Sequence, residues 1–273
     1  MDFTERNRGS VRWLAAKSFD NSGGVAHGFS TRLGGVSTGI WESMNLGTTR
    51  GDDPDRVREN YRLFCSAIGA EPSSIVMSNQ VHGDVIKVVG SEDVKKDLYD
   101  PEGYEVDGLI TNVPGLVLTI FSADCLPMLF YDPVKRVAAA AHAGWRGTAM
   151  GIAARAAQKM TDIYGSKPSD ILAAIGPGIS KCCFETHGDV PEAMYEAFGE
   201  DAGPFIEPLV GEKYKVDLKG INALVLRRCG LVPERIAVCA DCTMCLPEKY
   251  WSHRATKGVR GSQAAMIQLK TET

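Results

Sequence analysis

Short apolar runs, separated by glycine and polar residues, recur between residues 74 and 141. Runs of this kind, bounded by turn residues, are typical of buried strands, so the region is predicted to form a succession of them. The predicted strands span residues 75–77, 85–89, 109–111, 116–121, 128–131 and 137–141. Further strands are predicted at residues 11–19, 25–31, 171–175, 236–240 and 264–269.

Helical patterns occupy other parts of the chain. The segment Gly51-Asp52-Asp53-Pro54 has the N-cap and first-turn proline of a helix, which is predicted to span residues 55–68. An alanine-rich helix is predicted over residues 147–164, where Gly165 ends it. Two more helices are predicted at residues 191–198 and 218–229. Clustered strands with helices outside them predict an α+β fold with layers around mixed sheets.

The composition limits the class of protein. A chain of 273 residues, 44% of them hydrophobic, can bury a large core as one domain or as two closely fused ones. Its net charge of −4 argues against a dedicated nucleic-acid or membrane-surface binder. The N-terminal residues lack the apolar segment of a signal peptide, and no apolar stretch approaches the ~20 residues of a membrane span. We therefore expect a cytoplasmic protein.

Two motifs place reactive side chains where predicted strands end. Cys125 lies in SADCLP (residues 122–127), and His142 lies in AHAGWRG (residues 141–147). A thiol and an imidazole at the ends of adjacent strands can meet in space, as catalytic and metal-binding groups commonly do. His82, in NQVHGD, would complete a zinc set of two histidines and one cysteine with a fourth position open. The alternative is that these side chains belong to the core or the surface.

A second group of thiols lies at Cys239, Cys242 and Cys245. In a chain of this size, eight cysteines favour reduced thiols over a disulfide framework. The spacing resembles part of a zinc or iron–sulfur site, which Cys182 or Cys183 would complete. The interpretation favoured here is a strand end in which Cys239 and Cys245 pack.

Several charged residues are candidates for substrate contacts. Arginine beside flexible backbone suits phosphate or another anion, because its fork of donors and free N–H groups converge on oxygen atoms. The arginines in such positions are Arg32, Arg146, Arg254 and Arg260. Asp107 and Asp124 are candidates to orient a histidine or to accept a substrate hydroxyl. Their alternative role is the capping of turns.

The motifs FSTRLGGVS, SMNLG, NQVHGD, DGLIT, SADCLPMLFYD, AAAHAGWRGT and IGPGI resemble, in this order, the laccase-domain family. Members of this family have been named polyphenol oxidases and are also described as zinc-dependent purine nucleoside phosphorylases. The resemblance covers residues 28–267. It implies a single domain over residues 1–273 with a layered α/β/β/α fold, similar to the deamidase domain of cytotoxic necrotising factor.

The resemblance also implies a site and an activity. It places the zinc ligands, which are also the catalytic residues, at His82, Cys125 and His142, with copper as the alternative occupant. The implied reactions are phosphorolysis of adenosine, inosine and methylthioadenosine, together with adenosine deamination. The residues expected to bind the purine nucleoside and phosphate are Ser43, Asn45, Arg32, Asp124, Arg146 and Arg254. Two departures are Gly178, where many members have cysteine, and Ala255, where a second arginine is usual.

Three further functions are alternatives. A multicopper laccase needs on the order of ten histidines for its copper sites. The five histidines of this chain are too few. Weak copper-dependent phenol oxidation is still compatible with a site of three ligands. A cysteine hydrolase would use Cys125 activated by His142, and editing of cell-wall peptide precursors has been proposed for the family. A non-enzymatic metal- or redox-responsive protein would depend on residues 239–245.

Overall fold

The structure is a computed structural model that describes residues 2–101 and 103–271. Within these residues it contains fifteen strands and seven α-helices. The strands are β1 Phe3–Arg8, β2 Val11–Ala16, β3 Val25–Ser30, β4 Ile75–Val76, β5 Ile86–Val88, β6 Gly108–Thr111, β7 Val117–Ser122, β8 Leu126–Asp132, β9 Val137–Ala143, β10 Leu172–Ile175, β11 Glu185–Thr186, β12 Ile206–Pro208, β13 Tyr214–Val216, β14 Ile236–Val238 and β15 Gln263–Leu269. The helices are α1 Lys17–Ser22, α2 Pro54–Ile68, α3 Trp145–Ala149, α4 Ile152–Tyr164, α5 Asp189–Phe198, α6 Leu218–Arg228 and α7 His253–Thr256.

Two mixed six-stranded sheets form the centre of the fold. The first sheet has the strand order β1-β2-β3-β15-β7-β4, and the second has the order β14-β10-β8-β9-β6-β5. Most neighbouring strands are antiparallel, but β4 and β7 are parallel, as are β5 and β6 and also β10 and β14. A small antiparallel sheet contains β11, β13 and β12. The α+β class with mixed sheets is confirmed.

Side chains on β8 and β9 alternate between two apolar layers. Leu129 and Ala138 pack between the two sheets, against residues such as Leu118 of the first sheet. Met128 and Ala139 face the opposite way and pack under α4 and α6. Helix α2 covers the outer face of the first sheet. The layers are therefore helix, sheet, sheet and helix, and burial on both faces explains why these strands are apolar throughout.

The predicted start and end of α2 are confirmed. The Asp53 carboxylate accepts a hydrogen bond from the Asp55 amide, and Pro54 opens the first turn. Gly69 ends the helix in the left-handed conformation.

The alanine-rich helix predicted over residues 147–164 is two helices. Helix α3 begins earlier, at Trp145, and the chain breaks at Gly151, where φ is +79°, before α4 begins. The prediction also omitted β1, which pairs with β2 at the sheet edge and is largely exposed, so its sequence lacks an apolar face. The strands of the small sheet have only two or three residues each and were not predicted either.

None of the helices within residues 2–101 and 103–271 is long and apolar enough to span a membrane.

The register of the second sheet brings distant residues together. In the pairing of β8 with β9, Leu126 lies opposite Ala143 and Pro127 lies opposite His142. Cys125, which directly precedes β8, therefore lies beside the end of β9. Strand β6 pairs with the other edge of β9 and places its preceding residue, Asp107, next to His142. These three residues therefore lie at one end of the sheet.

Candidate metal centre and substrate cavity

Three possible metal ligands converge at this end of the second sheet. The ligand atoms of His82, Cys125 and His142 all lie within 4.8 Å of one another. The imidazole rings of His82 and His142 are nearly perpendicular, with centroids 4.9 Å apart. Two imidazoles and a thiol are a donor set that suits zinc or copper. The sequence prediction that these side chains meet agrees with the geometry.

The buried carboxylate of Asp107 organises two of the three side chains. Its Oδ1 accepts a hydrogen bond from Nδ1 of His142 at 2.8 Å and from the His82 amide at 3.0 Å. Its Oδ2 accepts from the amides of Val81 and Gly83 at 3.1 and 2.7 Å. Burial raises the pKa of this carboxyl, but His142 and these amides lower it below its usual range.

Asp107 therefore fixes both the His142 ring and the turn that carries His82. With Nδ1 bonded to the carboxylate, Nε2 of His142 remains for a metal, the usual arrangement for a histidine ligand. Holding the His82 turn also matters because His82 has φ of +62°, a conformation that a non-glycine residue adopts only when its surroundings require it.

Cys125 and His142 form a polarised pair, in which each side chain shifts the pKa of the other. Burial disfavours the thiolate, but His142 and His82 outweigh this effect and lower the pKa of Cys125 to about 6. Burial likewise disfavours the imidazolium, yet Cys125 and Asp107 raise the pKa of His142 to about 9. Cys125 is thus a thiolate at neutral pH, the form that binds a metal.

The space beside these residues depends on Gly144. A Cβ atom at this position would lie 3.0 Å from Cδ2 of His82 and 3.2 Å from the Cys125 sulfur. The backbone of Gly144 has φ of −74°, so the constraint is room for a side chain and not backbone conformation.

A cavity of about 500 Å³ opens onto the cluster, a size typical of small-molecule sites. His82, Cys125 and His142 line the cavity, as does an aromatic wall of Phe121, Trp145 and Phe184. Aromatic faces of this kind stack against planar rings. The cavity therefore joins a metal-competent cluster to a surface suited to a flat heterocycle.

Three arginines also line the cavity: Arg50, Arg254 and Arg260. Arg50 and Arg260 both donate to the Ser262 hydroxyl, at 3.3 and 3.0 Å, so the two cations lie close together. Burial, followed by repulsion from Arg50, lowers the pKa of Arg260 to about 10. The Nε atom of Arg260 is buried and makes no hydrogen bond within the described residues. Two adjacent guanidinium groups, one of them with an N–H that has no partner among the described residues, are suited to bind an anion.

Asp124 and Arg254, both predicted to bind substrate, line this cavity. Asp124 accepts hydrogen bonds from the Thr243 hydroxyl at 2.6 Å and from the Arg254 amide at 2.7 Å. Both of its oxygens are therefore used within the protein, and its role here is to hold the cavity wall. The Arg254 guanidinium bonds the carbonyl of Glu185 at 2.9 Å.

Four more predicted substrate residues do not line the cavity. The Ser43 hydroxyl accepts hydrogen bonds from the amides of Gly34 and Gly35, and Asn45 bonds Gly47, Asp52 and Ser262. Arg32 bonds the carbonyls of Glu42 and Pro247 and lies over the ring of Trp251. Arg146 is exposed, with its guanidinium 4.2 Å from the centroid of Trp145. The geometry does not support the prediction that these four contact substrate.

Asn45 nevertheless stabilises the cavity wall. Its Oδ1 accepts hydrogen bonds from the amides of Gly47 and Ser262, two residues of the cavity wall.

Three residues of the cavity wall, Arg50, Phe121 and Phe184, were not predicted, because no local pattern separates them from surface or core residues. Arg260, an anion candidate from the sequence, does line the cavity.

The remaining histidines lie apart from the metal cluster. His27 is in the core, where its Nε2 accepts a hydrogen bond from the Ala16 amide at 2.9 Å. His187 is exposed, whereas His253 lines the cavity beside the arginines.

Comparison with known proteins places the chain in a family. A family model described as multi-copper polyphenol oxidoreductase laccase matches residues 26–270. The chain belongs to this laccase family. Relatives named purine nucleoside phosphorylase include YfiH of Escherichia coli, which is 38% identical over 90% of this chain and 94% of its own. YlmD of Bacillus subtilis, with the same activity in its name, is 34% identical over 93% of this chain and 92% of its own.

The fold of this family member is also similar to solved structures. The crystal structure of YlmD from Geobacillus stearothermophilus has a TM-score of 0.91 with 32% identity and covers 99% of both chains.

The close approach of Gly144 to His82 and Cys125 provides a test of metal binding by the cluster. We expect Gly144→Ala to lower metal affinity at least about 10-fold without removing a ligand, because the added methyl group crowds His82 and Cys125. Metal competition against a colorimetric chelator measures the affinity. Gly188→Ala is the control, since its Cβ would meet only the flexible Glu192 carboxylate at 3.6 Å. Equal affinity in the two variants would contradict the geometry.

Proposed function

We propose that the protein is a metal-dependent purine nucleoside phosphorylase, with zinc held by His82, Cys125 and His142. One observation carries the proposal: a single cavity contains both a metal-competent cluster and a group of arginines. The names of the relatives support the same activity. When bound, the metal supplies Lewis-acid chemistry that polarises an oxygen or nitrogen atom of the reactants.

The donor set favours zinc over the alternatives. Mixed imidazole and thiolate ligands suit zinc, and three protein ligands leave the open position that catalytic zinc sites have. Copper binds the same donors, but the mixed histidine–cysteine cluster within the described residues offers only three ligand side chains. A multicopper centre needs many more. Phenol oxidation is therefore not the main activity that we propose.

In the proposed reaction, a phosphate oxygen forms a bond to C1′ of the ribose while the bond from C1′ to the purine breaks. The electron pair of the broken bond goes to the purine, which takes up the proton that hydrogen phosphate loses. Arg50, Arg254 and Arg260 hold the phosphate by charge-assisted hydrogen bonds and keep it oriented. The aromatic wall of Phe121, Trp145 and Phe184 holds the base. Asp107 keeps His142 in one tautomer and orientation.

The proposed substrates are adenosine, inosine and methylthioadenosine, and adenosine deamination is proposed as a second activity of the same site. Deamination replaces the amino group at C6 of the purine by the oxygen of water and releases ammonia. It needs no phosphate, so assays with and without phosphate separate the two reactions.

The deciding assay follows base release from inosine by zinc-loaded protein, with chromatographic detection of hypoxanthine and ribose 1-phosphate. We expect release only when phosphate is present. Arg260→Gln should raise KM for phosphate about 10-fold or more while changing KM for inosine less, since hydrogen bonds to charged groups contribute ~1.5–3 kcal/mol. Arg62→Gln is the control, because Arg62 is exposed on α2 and pairs with Glu59 of the same helix.

Two results would contradict the proposal. Zinc-loaded protein that leaves inosine and adenosine unchanged would exclude both activities. Base release at the same rate without phosphate would indicate a hydrolase in place of a phosphorylase.

The polarised Cys125–His142 pair favours one second candidate, a cysteine hydrolase acting on an amide. In that case the thiolate attacks the amide carbonyl, and imidazolium donates a proton to the leaving amine. Water then hydrolyses the resulting thioester, which releases the acid and restores the thiolate. The two functions differ in their need for metal. A zinc ligand cannot act as a free nucleophile, so chelation would abolish phosphorolysis but preserve amide hydrolysis.

The state of Cys125 can be followed by alkylation. In metal-free protein, we expect its reaction with iodoacetamide to increase as pH rises through about 6, because the thiolate forms above the lowered pKa. In zinc-loaded protein, Cys125 should be protected at every pH. Peptide mapping by mass spectrometry distinguishes Cys125 from the exposed Cys182 and Cys245. Reaction with a midpoint above pH 8 in metal-free protein would show that His142 does not stabilise the thiolate.

A further inference from the structure

Four cysteines meet in a second cluster outside the cavity. Cys182 and Cys183 lie in the loop that follows β10, and Cys242 and Cys245 lie in the loop that follows β14. Strands β10 and β14 are parallel neighbours, and their pairing extends past the strand ends through a bridge between Gly178 and Cys242. Both loops therefore leave the same end of the second sheet. Cys245 is exposed, which overturns the sequence interpretation that it packs, whereas Cys239 is buried in the core.

The spacing of the sulfur atoms matches a single tetrahedral ion. The Sγ of Cys245 is 3.6 Å from that of Cys182 and 3.3 Å from that of Cys183, and the latter two are 3.7 Å apart. All four sulfurs, including that of Cys242, lie within 4.8 Å of one another. Around an ion with metal–sulfur bonds of ~2.3 Å, tetrahedral sulfurs lie about 3.8 Å apart.

Neither a disulfide nor an iron–sulfur cluster fits these sulfur distances as well as a single ion does. A disulfide brings two sulfurs to ~2.05 Å, and all four cysteines are free. An iron–sulfur cluster separates its cysteine sulfurs further, because several iron and sulfide atoms stand between them.

The surroundings of Cys242 suit a thiolate ligand. The Ser180 amide donates to its sulfur at 3.4 Å, and the amides of Met244 and Cys245 donate to it as well. The ammonium of Lys219 is buried nearby and is attracted to the Cys242 thiolate. It is held by the Ser180 hydroxyl and by the carbonyls of Cys239 and Asp241. Hydrogen bonds and a fixed cation stabilise a thiolate centre of net negative charge.

We propose that Cys182, Cys183, Cys242 and Cys245 form a second metal site that binds one structural zinc ion. Four protein ligands complete a tetrahedron, so this site has no open position for chemistry. The ion enters from the exposed side, where Cys182 and Cys245 reach solvent. The proposal is independent of the proposed enzymatic function, since neither the cavity arginines nor Cys125 take part in it.

A structural zinc ion here would hold two parts of the cavity wall together. The first loop also contains Ile179 and Phe184, which line the cavity. The second contains Thr243, whose hydroxyl donates to Asp124 beside Cys125. The ion joins segments that are about 60 residues apart in the chain, and closing a long loop in this way reduces the freedom of the unfolded state.

The test is the zinc content of purified protein, measured by mass spectrometry of the metal. We expect Cys182→Ser/Cys245→Ser, which changes the two exposed ligands, to contain one zinc ion per chain fewer than the natural sequence. Cys229→Ser is the matched control, since this half-buried cysteine lies outside both clusters, and it should contain as many zinc ions as the natural sequence. His142→Ala should lose only the ion of the first site. The double cysteine variant should also have a lower melting temperature than the control.

Cobalt substitution gives a readout that does not depend on counting ions. The ligand-field spectrum of a tetrahedral tetrathiolate centre should persist in His142→Ala and disappear from Cys182→Ser/Cys245→Ser. If the cysteine variant does not fold, alkylation of the natural sequence decides: Cys182 and Cys245 should resist iodoacetamide until a chelator is added. Equal zinc content in the natural protein and the double variant, rapid alkylation without chelator, or iron in place of zinc would each overturn the proposal.

Discussion

The buried carboxylate of Asp107 is the interaction on which the rest of the site depends. It accepts one hydrogen bond from the His142 ring and three from consecutive amides of the turn that carries His82. A buried charge is costly unless its lone pairs are used, and here the groups that satisfy it are those that the site must position. Cys125 and then this carboxylate raise the pKa of His142 against the effect of burial, and His142 and His82 lower the pKa of Cys125. Asp107 thus contributes to both the position and the ionisation of the cluster.

The second sheet explains how this arrangement is reached from distant parts of the chain. Asp107 directly precedes β6, Cys125 directly precedes β8, and His142 lies within β9. These three strands are neighbours, so the three side chains lie at the same end of the second sheet. The loops after β10 and β14 extend from the same end and carry the second cysteine cluster. Rigid strands buried on both faces provide the precision that a metal centre needs, while the loops between them form the cavity.

Much of this framework could be predicted from the sequence, because the signals are local. Buried strands such as β9 are continuous apolar runs, and Cys125 and His142 stand out where such runs end. Other features depend on tertiary contacts. Nothing near Arg32 in the chain shows that its guanidinium lies over Trp251, and nothing near Cys182 shows that it meets Cys245. The break between α3 and α4 was missed because one left-handed glycine interrupts an otherwise helical pattern.

We have proposed that His82, Cys125 and His142 bind one metal ion beside the cavity. Anomalous diffraction from crystals of zinc-loaded protein would locate this ion. We expect a zinc peak within ~2.0–2.3 Å of one nitrogen of His82, the Cys125 sulfur and Nε2 of His142. Zinc-loaded crystals without a peak there, in which the Cys125 sulfur has no metal neighbour, would contradict it.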